Sequence, residues 1–203
     1  KTLDNPNIHL YCDVEFGKDV TLDDLLARYD AVLFATGAVK DKPLNLPGAD
    51  LDGVYGAAKF VEWYDGYPTG AREWPLSAEN VAVIGGGNVA MDCARTAVRA
   101  NAASVTGAYR RRLEDMTALP SEVEAAMMEG VEMRCLQAPA RIEVNAERQA
   151  TALICQPQRI GAVRGGRPAP VPADKPKVRL AADLVIIAVG QAIECVPFEE
   201  FGM

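Results

Sequence analysis

Residues 81–100 read VAVIGGGNVAMDCARTAVRA, and no other stretch limits the fold as strongly. An apolar run suited to a buried strand ends in three consecutive glycines. A segment with helical spacing of apolar residues opens directly after them. A loop of the form G-x-G-x-x-G/A at such a junction has a definite physical purpose. The first glycine makes the tight turn, the second removes a side chain that would block a pyrophosphate, and the third small residue lets helix and strand pack closely. Gly85, Gly87 and Ala90 hold these places, and Gly86 is read as widening the approach. The N–H groups of Asn88, Val89 and Ala90 are expected to be free at the helix start, where the helix dipole favours an anion.

The flanking pattern gives the loop its context. NVAVIG reads as a strand, NVAMDCARTAVRA as a helix, ASVTGAYRR as a second strand, LPSEVEAAMMEG as a second helix and VEMRCLQ as a third strand. This β-α-β-α-β order calls for a parallel sheet with right-handed crossovers. In the second helix Ser121 and Glu124 have the spacing of a capping box, and Gly130 suits a left-handed stop. ARIEVN and ATALICQPQRI then alternate as an antiparallel hairpin around a polar turn. Residues 156–177 contain five prolines and three glycines, a composition for a flexible surface loop or a long hairpin tip. ADLVIIAVGQ reads as a buried strand returning to the parallel sheet. The expected fold class is α/β: a Rossmann-like parallel sheet with helices on both faces and an antiparallel β-hairpin insertion, of the FAD/NAD(P)-binding type.

Before the glycine loop, NIHLYCDVEF reads as a short strand and DVTLDDLLARY as a short helix capped by Thr21, with Asp23 and Asp24 in its first turn. DAVLFATGA is an apolar run closed by Thr-Gly and reads as a buried parallel strand. KDKPLNLPGADLDG is a loop. VYGAAKFVEWYDG reads as a helix stopped by Gly66, followed by another loop, YPTGAREWPLSAE.

The choice of nucleotide turns on the end of the second strand. An NAD site places an acidic residue there to hold the ribose 2′-hydroxyl. This chain has Tyr109 followed by Arg110, Arg111 and Arg112. A guanidinium there pairs with a 2′-phosphate, and Tyr109 or an arginine can stack on adenine. The alternative is a solvated charge run paired with Glu114 and Asp115.

Composition removes other classes. The net charge is −7, which disfavours a nucleic-acid partner. No apolar run has membrane-spanning length, and no signal peptide is recognisable. The five cysteines are scattered, odd in number and without a C-x-x-C pair, as expected of free thiols in a reducing cytoplasm. That count disfavours disulfide chemistry of the thioredoxin-reductase type. The single His9 cannot supply a metal cluster, so no metal site is expected. Tyr55 and Lys59 form the Y-x-x-x-K of short-chain dehydrogenases, but they precede the glycine loop instead of following it.

Several of these stretches together resemble a known family. VAVIGGGNVAMDCARTA, AYRRRLEDM and EVEAAMMEGVE resemble the NADPH-binding domain of the small (beta) subunit of glutamate synthase. EFGKDVTLDDLLARYDAVLFATGA resembles the segment before that domain, and FVEWYDGYP resembles adrenodoxin reductase and bacterial NADPH–ferredoxin reductases. The resemblance implies an NADPH domain inserted into an FAD domain. It assigns residues 1–48 to a partial FAD-domain segment and 49–80 to a connecting helix and loop. Residues 81–190 become the NADP(H)-binding domain, and 191–203 the return towards the rest of the FAD domain. The FAD domain's own GxGxxG, its closing Gly-Asp motif and a cysteine-rich iron–sulfur segment are not in these 203 residues, so the chain reads as an excised part of a larger enzyme.

Carried over by position, Gly85, Gly87, Asn88, Val89 and Ala90 become the pyrophosphate loop, and Arg110 and Arg111 the 2′-phosphate arginines. Ala35, Thr36 and Gly37 become a turn near flavin, and Val189 and Gly190 the turn closing over the nicotinamide. The expected cofactors are NADPH here and FAD in the whole enzyme. The expected partners are the remaining FAD domain and an electron-acceptor domain or subunit with iron–sulfur character. No side chain is expected to act as acid or base, and the isolated segment is expected to be inactive. The rival reading is a self-standing NADP(H)-sensing module, against which the ATG segment speaks.

Overall fold

The computed structural model describes residues 3–38, 40–65, 79–164, 166–193 and 195–199. The chain divides into two compact units, Lys1–Val39 with Ile193–Met203, and Lys40–Ala192. Residues 40–48, grouped above with the amino-terminal segment, belong to the second unit.

The first unit contains α1 (Leu22–Leu26), whose start follows from local chemistry. Thr21 Oγ1 accepts from the Asp24 amide at 3.2 Å, and the Asp24 carboxylate accepts from the Thr21 amide at 3.1 Å. Each side chain satisfies an N–H that the first turn leaves open. Phe16, Phe34 and Phe198 pack together with ring centroids 4.9–6.0 Å apart.

Two expected strands are absent from this unit. Residues 7–15 form no ladder, and Leu10 and Tyr11 are exposed. Residues 31–38 likewise form none, and Leu33 is 89% exposed. An apolar run becomes a strand only where a neighbouring strand takes its N–H and C=O groups, and no described strand lies beside either run.

The second unit begins with β1 (Lys40–Asp41), β2 (Val54–Gly56) and α2 (Ala57–Tyr64). Residues 54–56, read above as the start of the helix, are thus an edge strand. Gly66 and residues 67–78, the expected helix stop and loop, lie outside the described residues. The glycine-loop region follows as β3 (Asn80–Ile84), α3 (Asn88–Arg99), β4 (Ser104–Tyr109), α4 (Pro120–Met128) and β5 (Glu132–Cys135). Then come β6 (Gln137–Val144), β7 (Ala150–Arg164), β8 (Arg167–Pro172), β9 (Val178–Ala181), β10 (Leu184–Ile187) and β11 (Gln191–Ala192). The first unit closes with α5 (Val196–Glu199).

A five-stranded parallel sheet runs in the order β2-β10-β3-β4-β5. A four-stranded antiparallel sheet consists of β6, β7, β8 and β9, and β1 pairs with β11. The long hairpin is the alternative that holds for the proline-rich stretch, because β7 and β8 pair through it. Pro168, Pro170 and Pro172 lie on β8, which has no second neighbour in the sheet order. Edge strands are where proline's missing N–H is tolerated.

Alternation along β3 sorts the core into two layers. Val81 and Val83 join Met91, Ala94 and Ala97 of α3, with Phe60 of α2 and Val123 of α4. Ala82 and Ile84 join Ile142, Leu153, Cys155 and Leu180 of the antiparallel sheet. Helices α2, α3 and α4 therefore cover one face, and the antiparallel sheet covers the other, where helices were expected on both. Between α3 and α4, Arg95 pairs with Glu122 at 2.7 Å and Glu129 at 2.8 Å.

The start of α4 departs from the capping-box reading. Its N-cap is Leu119 and Pro120 is the first helical residue. Proline is pre-organised for that position and has no N–H to leave open, so Ser121 already lies within the helix. Gly130 has φ +105°, as its stop position demands.

Candidate functional site

The cleft opens where the parallel strands end. Ile84 is level with Ala108 of β4 and with Ile187 of β10. The loops after β3, β4 and β10 therefore emerge side by side, which is where open α/β sheets bind ligands. The cleft between them has a volume of about 770 Å³. Gly85, Gly86, Gly87, Asn88, Val89, Tyr109, Arg110, Arg111, Val189 and Gly190 all line it. Ala90 does not; it is buried beneath the loop, where its Cβ is the near neighbour of Gly85. Ala35, Thr36 and Gly37 belong to the other unit and are exposed.

Each glycine of the loop is required for a different reason. Gly85 has φ +155°, and a Cβ there would run into the carbonyl of Ala188 and come within 3.0 Å of the Ala90 Cβ. It is the turn and the close strand approach in one residue. A Cβ on Gly86 would strike the ring of Tyr109, lying 2.6 Å from Cδ2 and 2.8 Å from Cζ. Gly86 thus does not widen the approach; it makes room for Tyr109. Its carbonyl accepts from the amides of Thr117 and Ala118 at 2.9 and 3.0 Å, tying the loop to the segment before α4.

At Gly87 a Cβ would meet only Thr117 Oγ1, at 3.5 Å. This is the one residue of the loop whose missing side chain leaves open space. Among the described residues the N–H groups of Asn88 and Val89 donate to no protein acceptor, whereas that of Ala90 is taken by the Gly87 carbonyl at 3.0 Å. Asn88 Oδ1 accepts from the Leu119 amide at 2.8 Å, locking its side chain away from the turn.

The three arginines after β4 separate. Arg112 takes both oxygens of Asp115 at 2.8 and 3.0 Å and also pairs with Glu114 at 2.7 Å. Asp115 is only 6% exposed, and the hydrogen bonds from Arg112 hold its carboxyl below the usual carboxylate range. Arg110 and Arg111 make no ion pair or side-chain hydrogen bond among the described residues. Arg112 is paired as the charge-run reading has it, and Arg111 acts on Asp115 only through its charge. Tyr109 donates through its hydroxyl to the Asp115 carbonyl at 2.9 Å.

Residues outside the sequence motifs complete the cleft. Lys42 and Asp41 line one side, where the Lys42 amide donates to the Gly190 carbonyl at 3.0 Å. Asp41 accepts from the Ala58 amide at 3.0 and 3.2 Å, so it caps α2, whose own N-cap Gly56 offers no side chain. Burial pushes the Asp41 carboxyl up, against the lowering effect of that amide. Arg167 of β8 lines the cleft as well. Such partners could be found only from long-range pairing, because nothing in their local sequence marks them.

No cysteine lines the cleft. Cys93 and Cys155 are buried, and burial pushes both thiols up to about 12. Among the described residues no three His, Cys, Asp or Glu come together as a metal site, and no helix is long and apolar enough to cross a membrane.

The profile of the pyridine nucleotide-disulphide oxidoreductases matches residues 7–203. The chain belongs to this family. It is 37% identical over 190 residues to the putative oxidoreductase AegA of Escherichia coli K12, covering 90% of this chain and 29% of that protein. It is also 37% identical over 191 residues to the small chain of glutamate synthase [NADPH] from the same organism, covering 90% of this chain and 40% of that one. The chain therefore spans less than half the length of these two relatives. Mycobacterium tuberculosis FprA, solved in complex with NADPH, shares the fold with a TM-score of 0.75 at 24% identity, over 94% of this chain and 56% of that one. Neither the family's name nor its fold brings a cysteine pair into this cleft.

Proposed function

We propose that the cleft holds NADPH and presents it for hydride transfer to FAD in a larger flavoprotein of which these residues are one part. The observation that carries this reading is that Arg110 and Arg111, which have no ion pair or side-chain hydrogen bond among the described residues, line the same cleft as a glycine loop with open space at Gly87. The open space at Gly87 and the free amides of Asn88 and Val89 suit the pyrophosphate. Arg110 and Arg111 suit the ribose 2′-phosphate. The turn at Val189 and Gly190 suits the nicotinamide end.

When bound, NADPH supplies the hydride from its nicotinamide ring. The protein's own groups bind, orient and neutralise charge. The loop amides fix the diphosphate, the arginines fix the adenosine end, and the two anchors between them set the direction of the nicotinamide. No side chain of this unit needs to carry a proton. Ala35, Thr36 and Gly37 are proposed to face flavin in the whole protein, whose remaining FAD domain and electron acceptor, an iron–sulfur domain or subunit, are its partners. The free thiols suit a cytoplasmic setting.

The 203 residues hold one glycine-rich dinucleotide loop, so the chain alone is expected to bind NADPH without FAD and to show no diaphorase activity. Amide chemical shifts of the labelled chain test the placement. Adding NADPH should move the Gly86, Gly87, Asn88 and Val89 resonances, and the purified chain should show no flavin absorbance. Unmoved loop resonances, or a stoichiometric yellow preparation, would contradict the reading.

A further inference from the structure

We propose that Arg167 is a third arginine at the adenosine end of the cleft and helps to select a nucleotide phosphorylated on its ribose 2′-oxygen. This rests on the nucleotide reading above and extends it to a residue far away in sequence.

Arg167 opens β8, level with Arg164 at the far end of β7. From there it lines the same cleft as Tyr109, Arg110 and Arg111. Its Nη1 donates to the Asp115 carbonyl at 3.3 Å, across 52 residues of chain. That carbonyl also accepts the Tyr109 hydroxyl. One main-chain oxygen thus pins the antiparallel sheet to the end of β4 and fixes where the guanidinium sits.

The charge balance gives the arginine a purpose beyond packing. A guanidinium has five N–H donors, and the pin uses one. The carboxylate of Asp115 is already occupied by Arg112, and among the described residues Arg167 has no acidic partner. Arg110, Arg111 and Arg167 therefore bring three guanidinium groups with no ion pair among the described residues to one end of the cleft, in a chain whose net charge is −7. A neutral adenosine needs no such cluster. A phosphate dianion on its ribose does, and arginine's planar fork fits phosphate oxygens in pairs.

The test uses calorimetric titration of the full chain with adenosine 2′,5′-bisphosphate and with 5′-AMP, which differ only in the 2′-phosphate. Arg167→Ala should weaken the bisphosphate by about tenfold and 5′-AMP by less than about twofold. Arg167→Lys should fall between wild type and Ala, and thermal melting should confirm that each variant is folded. If Ala melts early, the Lys comparison carries the test. Unchanged bisphosphate affinity, or equal weakening of both ligands, would overturn the proposal and leave Arg167 a packing residue.

An Arg111→Ala control separates two kinds of failure. If it loses the bisphosphate preference while Arg167→Ala keeps it, only the role of Arg167 falls. If wild type binds both ligands equally, the nucleotide reading falls and this proposal falls with it.

Discussion

Gly86 lies so close beneath Tyr109 that a Cβ on the glycine would sit 2.6 Å from the ring's Cδ2. The neighbouring Gly87 has only Thr117 Oγ1 near its Cβ direction, at 3.5 Å, and an ordinary extended backbone with φ −102°. The two glycines should therefore fail differently. Gly86→Ala must displace the ring and should destabilise the fold by about 1–3 kcal/mol, as overpacking does. Gly87→Ala should melt like wild type but weaken NADPH by at least about tenfold, because its methyl group would enter the open space that the proposed reading gives to the pyrophosphate. Melting curves and titrations on both variants check this; a Gly87→Ala protein that binds normally would contradict the assignment of the loop.

The bidentate pair between Arg112 and Asp115 predicts a dependence on acid. The folded-state carboxyl of Asp115 lies below its ordinary value. Its contribution to stability is therefore present above the unfolded-state value, near pH 4, and is lost as pH falls through the folded-state value. Arg112→Ala should be less stable than wild type at pH 7, and the gap should narrow as the pH falls below about 4. Melting temperatures across that range give the answer, and a gap independent of pH would contradict it.

Asp41 behaves in the opposite sense. Burial raises its carboxyl, so the stability linked to its protonated form is present at low pH and declines as pH rises through the raised value. Asp41→Asn keeps an acceptor for the Ala58 amide and should remove that decline. Asp41→Ala removes the cap of α2 and should cost about 0.5–2 kcal/mol. Denaturant titrations of both variants at two pH values distinguish charge from capping, and identical losses in both would contradict this account.

Much of the second unit was legible from local pattern. The strand, glycine turn and helix of residues 80–99, the strand and helix that follow, and the apolar return strand all have a period of their own. What local pattern hides is the neighbour. Residues 31–38 have the composition of a buried strand, yet no described strand lies beside them and Leu33 is exposed. Residues 54–56 look like the start of a helix until β10 is found beside them. Ser121 and Glu124 have the spacing of a cap, but Pro120 starts the helix ahead of them. Arginine identity alone could not separate Arg112 from Arg110 and Arg111; that needed the positions of Glu114 and Asp115. Asp41 and Arg167 reach the cleft by pairings invisible to any short window.

Thiol reactivity tests whether cysteine chemistry belongs to this chain. Cys93 and Cys155 are buried with thiols pushed up to about 12, so they are almost wholly protonated at pH 8. Cys12 and Cys195 are exposed. An alkylating reagent followed by peptide mass mapping should label Cys12 and Cys195 on the native chain and leave Cys93 and Cys155 until denaturant is added. Fast native labelling of Cys93 or Cys155 would contradict the packing described.

The central claim is that Arg110 and Arg111 read a 2′-phosphate. Calorimetric titration of wild type, Arg110→Ala and Arg111→Ala with NADPH and with NADH tests it most directly. Each charge-assisted contact contributes about 1.5–3 kcal/mol, so each variant should lose roughly ten- to a hundredfold in NADPH affinity while NADH hardly changes. Equal binding of NADPH and NADH by wild type, or equal weakening of both nucleotides in the variants, would contradict it.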